Sequence, residues 1–218
     1  MMKPEEILSV LKKHVVIPVI AIESAEDALP LADALIEGGL PVAEITFRTT
    51  AAAAVISRIA RDRPQLVLGA GTILTKENLA AAIDAGARFG VAPGLNPDIL
   101  AEANRRGLPF VPGVVTPSEI EQALSLGATL LKFFPAEASG GIPMIKALSG
   151  PYAHTGVRFV PTGGVSAANL AEYLAVPAVA CVGGTWIASK EAIAGKKWAE
   201  IAANCRAAAK IVAAARPA

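Results

Sequence analysis

Two charged residues stand in segments that otherwise suit only burial. In residues 42–48, VAEITFR, the two-residue alternation of a strand places Glu44, Thr46 and Arg48 on one face, opposite an apolar face. In residues 130–135, LLKFFP, the same alternation places Lys132 among apolar neighbours. A charge in an apolar interior is costly unless it is paired or changes its protonation state. Glu44 and Lys132 are therefore candidates for chemistry.

Burial can drive a lysine towards neutrality, and a neutral amine is a nucleophile. Lys132 could then add to a ketone and form an imine, whose cationic nitrogen draws electrons from the neighbouring carbon. Glu44 would move protons between water, the carbinolamine and the substrate hydroxyl. Arg48 offers paired donors that suit a planar carboxylate. These residues predict Schiff-base aldol chemistry on a 2-keto acid, and the alternative is a buried salt bridge that only fixes register.

Two glycine pairs late in the chain suit a phosphate group. They lie in PTGGVS, residues 161–166, and in VGGTW, residues 182–186. Paired glycines that precede a hydroxyl residue and a helix start can present several backbone N–H groups to one point. Tight turns without a ligand are the alternative. The candidate substrate-binding residues in these segments are Thr162, Gly163, Gly164, Gly184 and Thr185.

No motif for a cofactor or a metal stands out. The segment GAGT at residues 69–72 resembles part of a dinucleotide-binding loop, but it lacks the third glycine and the acidic residue expected about 20 positions later. Thr72 more plausibly offers its hydroxyl to a bound acid. His14 and His154 are isolated from other metal-ligating residues. The sequence therefore predicts an enzyme that uses neither a metal nor a cofactor.

Eight apolar strand-like segments alternate with helix-like segments. We predict strands at residues 15–22, 42–47, 66–72, 88–92, 109–114, 129–134, 157–161 and 178–182. We predict helices at residues 25–37, 51–61, 76–85, 98–105 and 118–125, and extra helices at residues 4–13 and 196–215. Eight evenly spaced units predict a single (β/α)8 TIM barrel of the α/β class, and an open doubly wound sheet is the alternative.

Composition limits the possible partners and the location. With 218 residues, the chain suits one domain, residues 1–218. Its 20 basic and 19 acidic residues give a net charge of +1, so we expect no nucleic-acid or membrane partner. The longest uncharged apolar run, residues 15–22, is far below the roughly 20 residues of a membrane helix. Without a signal-peptide pattern, the sequence predicts a cytoplasmic protein with a small-molecule ligand.

The two charged segments belong to longer motifs. GLPVAEITFR at residues 39–48 and GATLLKFFPA at residues 127–136 resemble the acid/base and Schiff-base motifs of the 2-keto-3-deoxy-6-phosphogluconate (KDPG) aldolase family. The likeness runs from about residue 17 to residue 186 and includes GAGTIL, APGLNP, VPGVVTP, PTGG and VGGTW. It implies a homotrimer that cleaves KDPG to pyruvate and D-glyceraldehyde 3-phosphate in the Entner-Doudoroff pathway.

The resemblance also implies roles for individual residues. It assigns imine formation to Lys132, proton transfer to Glu44, carboxylate binding to Arg48 and Thr72, pocket shape to Pro93 and Phe134, and phosphate binding to Gly163, Gly164 and Thr185. Three other functions stay open: 4-hydroxy-2-oxoglutarate as the main substrate, a phosphosugar isomerase or synthase without a Schiff base, and a barrel that only binds a phosphorylated metabolite. The last two have no need of a neutral lysine in the interior.

Overall fold

The computed structural model describes residues 9–11 and 13–216. Within them the strands are β1 (Val16–Ile20), β2 (Val42–Thr46), β3 (Val67–Gly71), β4 (Phe89–Val91), β5 (Phe110–Val111), β6 (Gly113–Val114), β7 (Leu130–Phe133), β8 (Arg158–Pro161) and β9 (Val182–Gly184). The α-helices are α1 (Ala28–Glu37), α2 (Ala52–Asp62), α3 (Lys76–Asp84), α4 (Pro97–Arg105), α5 (Pro117–Ser125), α6 (Gly141–Tyr152), α7 (Leu170–Leu174), α8 (Lys190–Ala194) and α9 (Trp198–Ala215).

The paired strands run parallel and form a curled sheet. One sheet has the order β5-β4-β3-β2-β1-β9, and a second has the order β6-β7-β8. Isolated parallel bridges, Phe159 with Val179 and Thr162 with Gly183, connect the second sheet to the segment that contains β9. Because parallel strands need crossover connections, helices alternate with strands along most of the described chain. The architecture is α/β with the carboxyl ends of the strands at one edge.

Two predicted strands differ from the observed ones. The predicted strand at 109–114 is interrupted at Pro112, so that β5 pairs with β4 and β6 pairs with β7. Proline has no N–H to donate to a ladder. The predicted strand at 178–182 contributes a single bridge at Val179, and β9 begins only at Val182. The last two residues of β9 are Gly183 and Gly184. Glycine has a low strand propensity, so the predicted strand did not include them.

The helices predicted from periodicity are present, and three further α-helices occur among the described residues. Helix α5 begins with a capping box, in which Thr116 accepts from the Glu119 N–H and the Glu119 carboxylate accepts from the Thr116 N–H. Helix α6 was not predicted, and helix starts were predicted for α7 and α8 without residue bounds. Residues 9–11, 13 and 14 are helical, as predicted for 4–13, and the remainder of that prediction lies outside the described residues. None of the described helices is long and apolar enough to cross a membrane.

Apolar side chains form two layers, one on each face of the curled sheet. Val42 and Leu130 belong to the smaller, inner cluster, together with residues of β1, β4, β5 and β8. Ala43 and Leu131 belong to the larger cluster, which includes the apolar faces of the helices. Successive side chains of a strand point to opposite faces. Every second residue of β2 and β7 after Val42 and Leu130 therefore points into the interior of the curl.

Candidate active site

Glu44 and Lys132 meet inside the curl of the sheet. Each follows the inner-cluster residue of its strand by two positions, and only 4% of Glu44 and 6% of Lys132 are exposed. The Lys132 Nζ atom lies 3.6 Å from Glu44 Oε1. That oxygen accepts no hydrogen bond within the described part of the chain, so it remains available to a reacting group. The pair thus brings an amine and a carboxylate together in an almost dry interior.

The surroundings of this pair are apolar on one side and aromatic on the other. Towards the amino ends of the strands, the pair and Thr162 border an enclosed space of about 10 Å³ that is lined mainly by inner-cluster side chains. That volume is at the lower limit for one water molecule. At the other side, Lys132 Nζ lies 5.3 Å from the centroid of the Phe134 ring. Bulk water therefore has little access to the amine except from the carboxyl edge of the sheet.

Gly71 makes room for the Glu44 carboxylate. Gly71 is the last residue of β3, and a Cβ atom built on it would overlap the Glu44 side chain. Gly69 serves Phe89 in the same way, because a Cβ there would overlap the Phe89 ring. Both glycines lie on the face of β3 that points into the curl. The sequence argued against a dinucleotide-binding loop at GAGT, and the packing identifies its glycines as space for side chains.

Thr46 holds the guanidinium group of Arg48. Its hydroxyl donates to the Ile20 carbonyl at 3.0 Å and accepts from Arg48 Nε at 3.3 Å. Thr46 is only 1% exposed, whereas Arg48 is exposed at the carboxyl edge of the sheet. The two terminal nitrogens of Arg48 have no partner among residues 9–11 and 13–216. This arrangement leaves two donors that suit a carboxylate. The sequence analysis placed Thr46 on this face but assigned it no role.

Thr72 follows β3 in an uncommon backbone conformation. Its φ angle is 53°, in the left-handed region that a β-branched residue seldom adopts. The hydrogen bonds on either side hold it there, from Phe47 N to the Gly71 carbonyl at 2.8 Å and from Ile73 N to the Val91 carbonyl at 3.1 Å. Strained residues of this kind cluster at ligand-binding positions. Thr72 is half-buried, so its hydroxyl remains accessible at the edge where Arg48 lies.

Pro93 and Phe134 are half-buried residues that follow β4 and β7. Pro93 is packed closely against β6, because a Cβ on Gly113 would overlap the Pro93 carbonyl. The Phe134 ring lies between Lys132 and Gly163, since a Cβ on Gly163 would come within 3.3 Å of it. Phe134 therefore connects the amine to the first of the two glycine segments.

The first glycine segment presents unpaired backbone donors. Gly163 and Gly164 have φ angles of 94° and 83°, a conformation that glycine adopts without strain. Their N–H groups donate to no residue in the described ranges. Successive left-handed residues with free N–H groups form a concavity that suits an anion. Thr162, directly before them, is buried and is bridged to Gly183.

A helix follows each glycine segment, as predicted, but begins several residues behind it. Helices α7 and α8 begin only at Leu170 and Lys190, and each has five residues. In the loops between, the Asn169 side chain accepts from the Ser166 N–H, three residues earlier, and the Ser189 side chain accepts from the Ala192 N–H, three residues later. Gly184 is also not a loop residue: it is buried at the end of β9, where a Cβ would overlap the Trp186 ring. Thr185 is exposed beside it.

Other reactive side chains are less well placed for chemistry. Burial raises the pKa of the Cys205 thiol to about 12, which keeps it protonated and unreactive. Burial and, to a smaller extent, Lys13 lower the pKa of His14. No group of three or more His, Cys, Asp or Glu side chains that could hold a metal occurs in the described residues.

Comparison with known proteins gives consistent results. The family model described as "Aldolase: KDPG and KHG aldolase" matches residues 7–204. The 2-dehydro-3-deoxy-phosphogluconate aldolase of Haemophilus influenzae is 47% identical over 90% of this chain and 92% of its own length. The KHG/KDPG aldolase of Escherichia coli K12 is 42% identical over 85% of this chain and 86% of its own.

A solved structure resembles the whole of the described fold. It is the KDPG aldolase of Legionella pneumophila, in which pyruvate is captured as a covalent carbinolamine intermediate. The two chains are 42% identical, the similarity covers 95% of this chain and 98% of that one, and the TM-score is 0.89.

Proposed function

Since this chain belongs to the KDPG and KHG aldolase family, we propose that it is a class I aldolase that cleaves KDPG to pyruvate and D-glyceraldehyde 3-phosphate. This is a lyase reaction of the Entner-Doudoroff pathway. The observation that carries the proposal is the buried contact of 3.6 Å between Lys132 Nζ and Glu44 Oε1. A nucleophile and an acid/base within reach of each other are what imine chemistry requires.

The reaction runs through a covalent adduct at Lys132. The amine adds to the C2 ketone, and loss of water from the carbinolamine gives a cationic imine. Glu44 removes the proton of the C4 hydroxyl, the C3–C4 bond breaks, and its electron pair moves into the imine to give an enamine. The aldehyde leaves, a proton returns to C3, and water releases pyruvate and restores the amine.

The groups around the pair recognise the two ends of the substrate. Arg48 and Thr72 bind the carboxylate of the pyruvate part, and Pro93 and Phe134 form the walls of the pocket. The phosphate binds to the backbone and hydroxyl donors of Thr162, Gly163, Gly164, Gly184 and Thr185. The supporting observations are the terminal nitrogens of Arg48, which have no partner among the described residues, and the left-handed glycines. No role in this scheme is given to a metal or a cofactor.

The phosphate assignment predicts a large difference between substrates. Phosphate lies far from the bond that breaks, so its binding energy serves to position the substrate over Lys132. We expect kcat/KM for 2-keto-3-deoxygluconate to be lower than for its 6-phosphate by a factor of at least about 10². Gly163→Asp should cause a comparable loss for the phosphorylated substrate and a much smaller loss for 4-hydroxy-2-oxoglutarate, which carries no phosphate.

A matched variant separates phosphate binding from damage to the fold. Gly107→Asp makes the same change at another left-handed glycine, with φ of 71° and no atom within 4 Å of the added Cβ. It should leave all three kcat/KM values within about threefold of the parent, as expected for a surface change. Equal losses of Gly163→Asp on every substrate would mean that the mutation disturbs the fold. An unmodified enzyme without a preference for phosphate would mean that the glycine segments are only turns.

A second candidate is 4-hydroxy-2-oxoglutarate aldolase activity, which yields pyruvate and glyoxylate. It is favoured by the 42% identity to the Escherichia coli KHG/KDPG aldolase, whose name joins both substrates. The same pair, Lys132 and Glu44, would serve both reactions, because the two substrates share the 2-keto acid part. The comparison of kcat/KM in the preceding experiment decides which activity is the main one.

The finer features of the fold are also proposals. We propose that residues 1–218 form one domain and that the two sheets are parts of one closed (β/α)8 barrel. The supporting observation is that the strands form a closed series of neighbours. Ladders join the strands within each sheet, Pro112 links β5 to β6 along the chain, and the two isolated bridges join the region of β8 to the segment that contains β9. The cytoplasmic location stays a prediction from the sequence.

We expect the protein to be a homotrimer in solution, as the family resemblance implies. Among the described residues, Leu74 is the large apolar side chain that is exposed, at 55%, and it follows Thr72 by two positions. Light scattering coupled to gel filtration should give about three times the chain mass of 22.2 kDa. A mass of one or two chains would contradict the trimer without affecting the chemistry proposed for Lys132.

A further inference from the structure

The carbonyls of Thr162, Gly163 and Gly164 in the first glycine segment are already bound by the protein. Donors from neighbouring elements bind these oxygens, whereas the Gly163 and Gly164 N–H groups donate to no residue in the described structure. A phosphate would be repelled by free carbonyls and attracted by free N–H groups. The bonds are those of the Thr162 carbonyl with Ala136 N at 2.8 Å, the Gly163 carbonyl with Glu137 N at 3.1 Å, and the Gly164 carbonyl with Asn169 Nδ2 at 3.1 Å.

Glu137 contacts both glycines of this segment. Its backbone N–H binds the Gly163 carbonyl, and its side chain fills the space next to Gly164, where an added Cβ would overlap it. Glu137 lies in a short turn, Glu137–Ser139, that separates β7 from α6. The residue therefore forms one wall of the glycine segment, although it belongs to the loop that follows the strand of Lys132.

The Glu137 side chain is in turn fixed by Tyr173. The Tyr173 hydroxyl donates to Glu137 Oε1. Tyr173 lies on α7, the helix that follows the glycine segment, and none of its side chain is exposed. Burial, and then the hydrogen bond to Glu137, raise the pKa of Tyr173, so its hydroxyl stays a donor throughout the neutral range. Asn169, directly before α7, binds the Gly164 carbonyl, Tyr173 on α7 binds Glu137, and Glu137 contacts both glycines. These contacts form a closed ring.

We propose that Glu137 and Tyr173 are a positioning pair that holds the Gly163–Gly164 N–H groups in place for the substrate phosphate. The pair acts on the phosphorylated end of the substrate only, because it touches neither Lys132 nor Glu44. This inference rests on the proposed function. It goes beyond it by assigning the preference for phosphorylated substrates to two side chains that do not contact the substrate.

The two tyrosines of the chain provide a matched experiment. Tyr173→Phe removes the hydroxyl bound to Glu137, and Tyr152→Phe removes a hydroxyl that donates to Glu121 Oε1 at 2.9 Å, away from the site. We expect Tyr173→Phe to lower kcat/KM for KDPG at least about tenfold, which is the usual scale for a hydrogen bond to a charged group. It should lower kcat/KM for 4-hydroxy-2-oxoglutarate less than about twofold. Tyr152→Phe should affect both substrates alike.

Two further variants test the role of Glu137. Glu137→Ala should lose most of the phosphate preference, because it removes both the wall beside Gly164 and the acceptor for Tyr173. Glu137→Gln should restore most of it, because the amide oxygen still accepts from Tyr173. A gain of kcat/KM for KDPG in both variants would overturn the inference, since it would mean that the charge of Glu137 only repels phosphate.

The outcomes also separate this inference from the proposed function. An unmodified enzyme that prefers KDPG, combined with equal behaviour of Tyr173→Phe and Tyr152→Phe, would overturn the positioning pair alone. Equal losses of Tyr173→Phe on both substrates would do so as well, because they indicate a structural role. An enzyme that cleaves neither substrate would instead contradict the proposed function.

Discussion

Pyruvate together with borohydride should add one reduced pyruvyl group to this protein, at Lys132. Imine formation needs a neutral amine, and Lys132 is the lysine that lies in the interior among the described residues, at 6% exposure. Borohydride reduces the imine to a stable secondary amine, so intact mass and peptide mapping locate the adduct. A label on the exposed Lys76 or Lys146, or no label, would contradict the mechanism.

Replacing this lysine should abolish turnover. Lys132→Ala removes the nucleophile, but it also leaves the Glu44 carboxylate buried without a partner, which destabilises a protein by about 3–5 kcal/mol. Lys132→Arg is therefore the sharper variant, since guanidinium keeps the positive charge and is not nucleophilic. We expect both variants to be inactive and Lys132→Arg to remain folded. Lys146→Arg, on the surface, should keep its activity. Turnover by either Lys132 variant would indicate a metal or an enolate route.

The second large effect is expected at Glu44. Glu44→Gln keeps the shape of the side chain and removes its capacity to accept a proton, so kcat should fall by about 10² to 10⁴, the usual range for a general acid/base. Imine trapping at Lys132 should persist at a lower rate, because addition of the amine does not depend on cleavage of the C3–C4 bond. Steady-state rates with KDPG and borohydride trapping, measured side by side, separate the two steps.

The stability of the same variant shows whether a loss of activity has another cause. A glutamine keeps the size and the polar character of the side chain, so the thermal midpoint should change little. A lower thermal midpoint together with an unchanged kcat would mean that Glu44 serves only as a partner in a structural salt bridge. A Glu44→Gln protein that fails to trap pyruvate would mean that the carboxylate is needed before the imine forms.

The positions of Glu44 and Lys132 could be predicted because strand geometry is strictly periodic. Alternate residues of a strand point to the same face, so the apolar residues of a strand show to which face each of the others points. A charged residue in such a strand is therefore easy to recognise. Strand periodicity, however, says nothing about distance. The structure adds that β2 and β7 present the two side chains at the same depth, with Nζ and Oε1 3.6 Å apart.

Contacts between distant parts of the chain could not be predicted in this way. The Thr46 hydroxyl donates to the carbonyl of Ile20, 26 residues earlier, and no local sequence pattern predicts that hydrogen bond. Likewise, Glu137 and Tyr173 are 36 residues apart, and each alone is an ordinary residue of a turn or a helix. The glycine segments were recognised by composition, but the length of the loops behind them depends on where Asn169 and Ser189 find backbone partners.

The proposed recognition of the phosphate through backbone N–H groups has a consequence for the use of this scaffold in synthesis. An aldolase also forms carbon–carbon bonds, because the catalysed path is the same in both directions. In the proposed mechanism, the donor ketone is activated by side chains of β2 and β7, whereas the acceptor aldehyde is selected at the loops that follow β8 and β9. The range of accepted aldehydes can therefore be altered at Thr185 and its neighbours while the pyruvate-activating centre of the biocatalyst is left as it is.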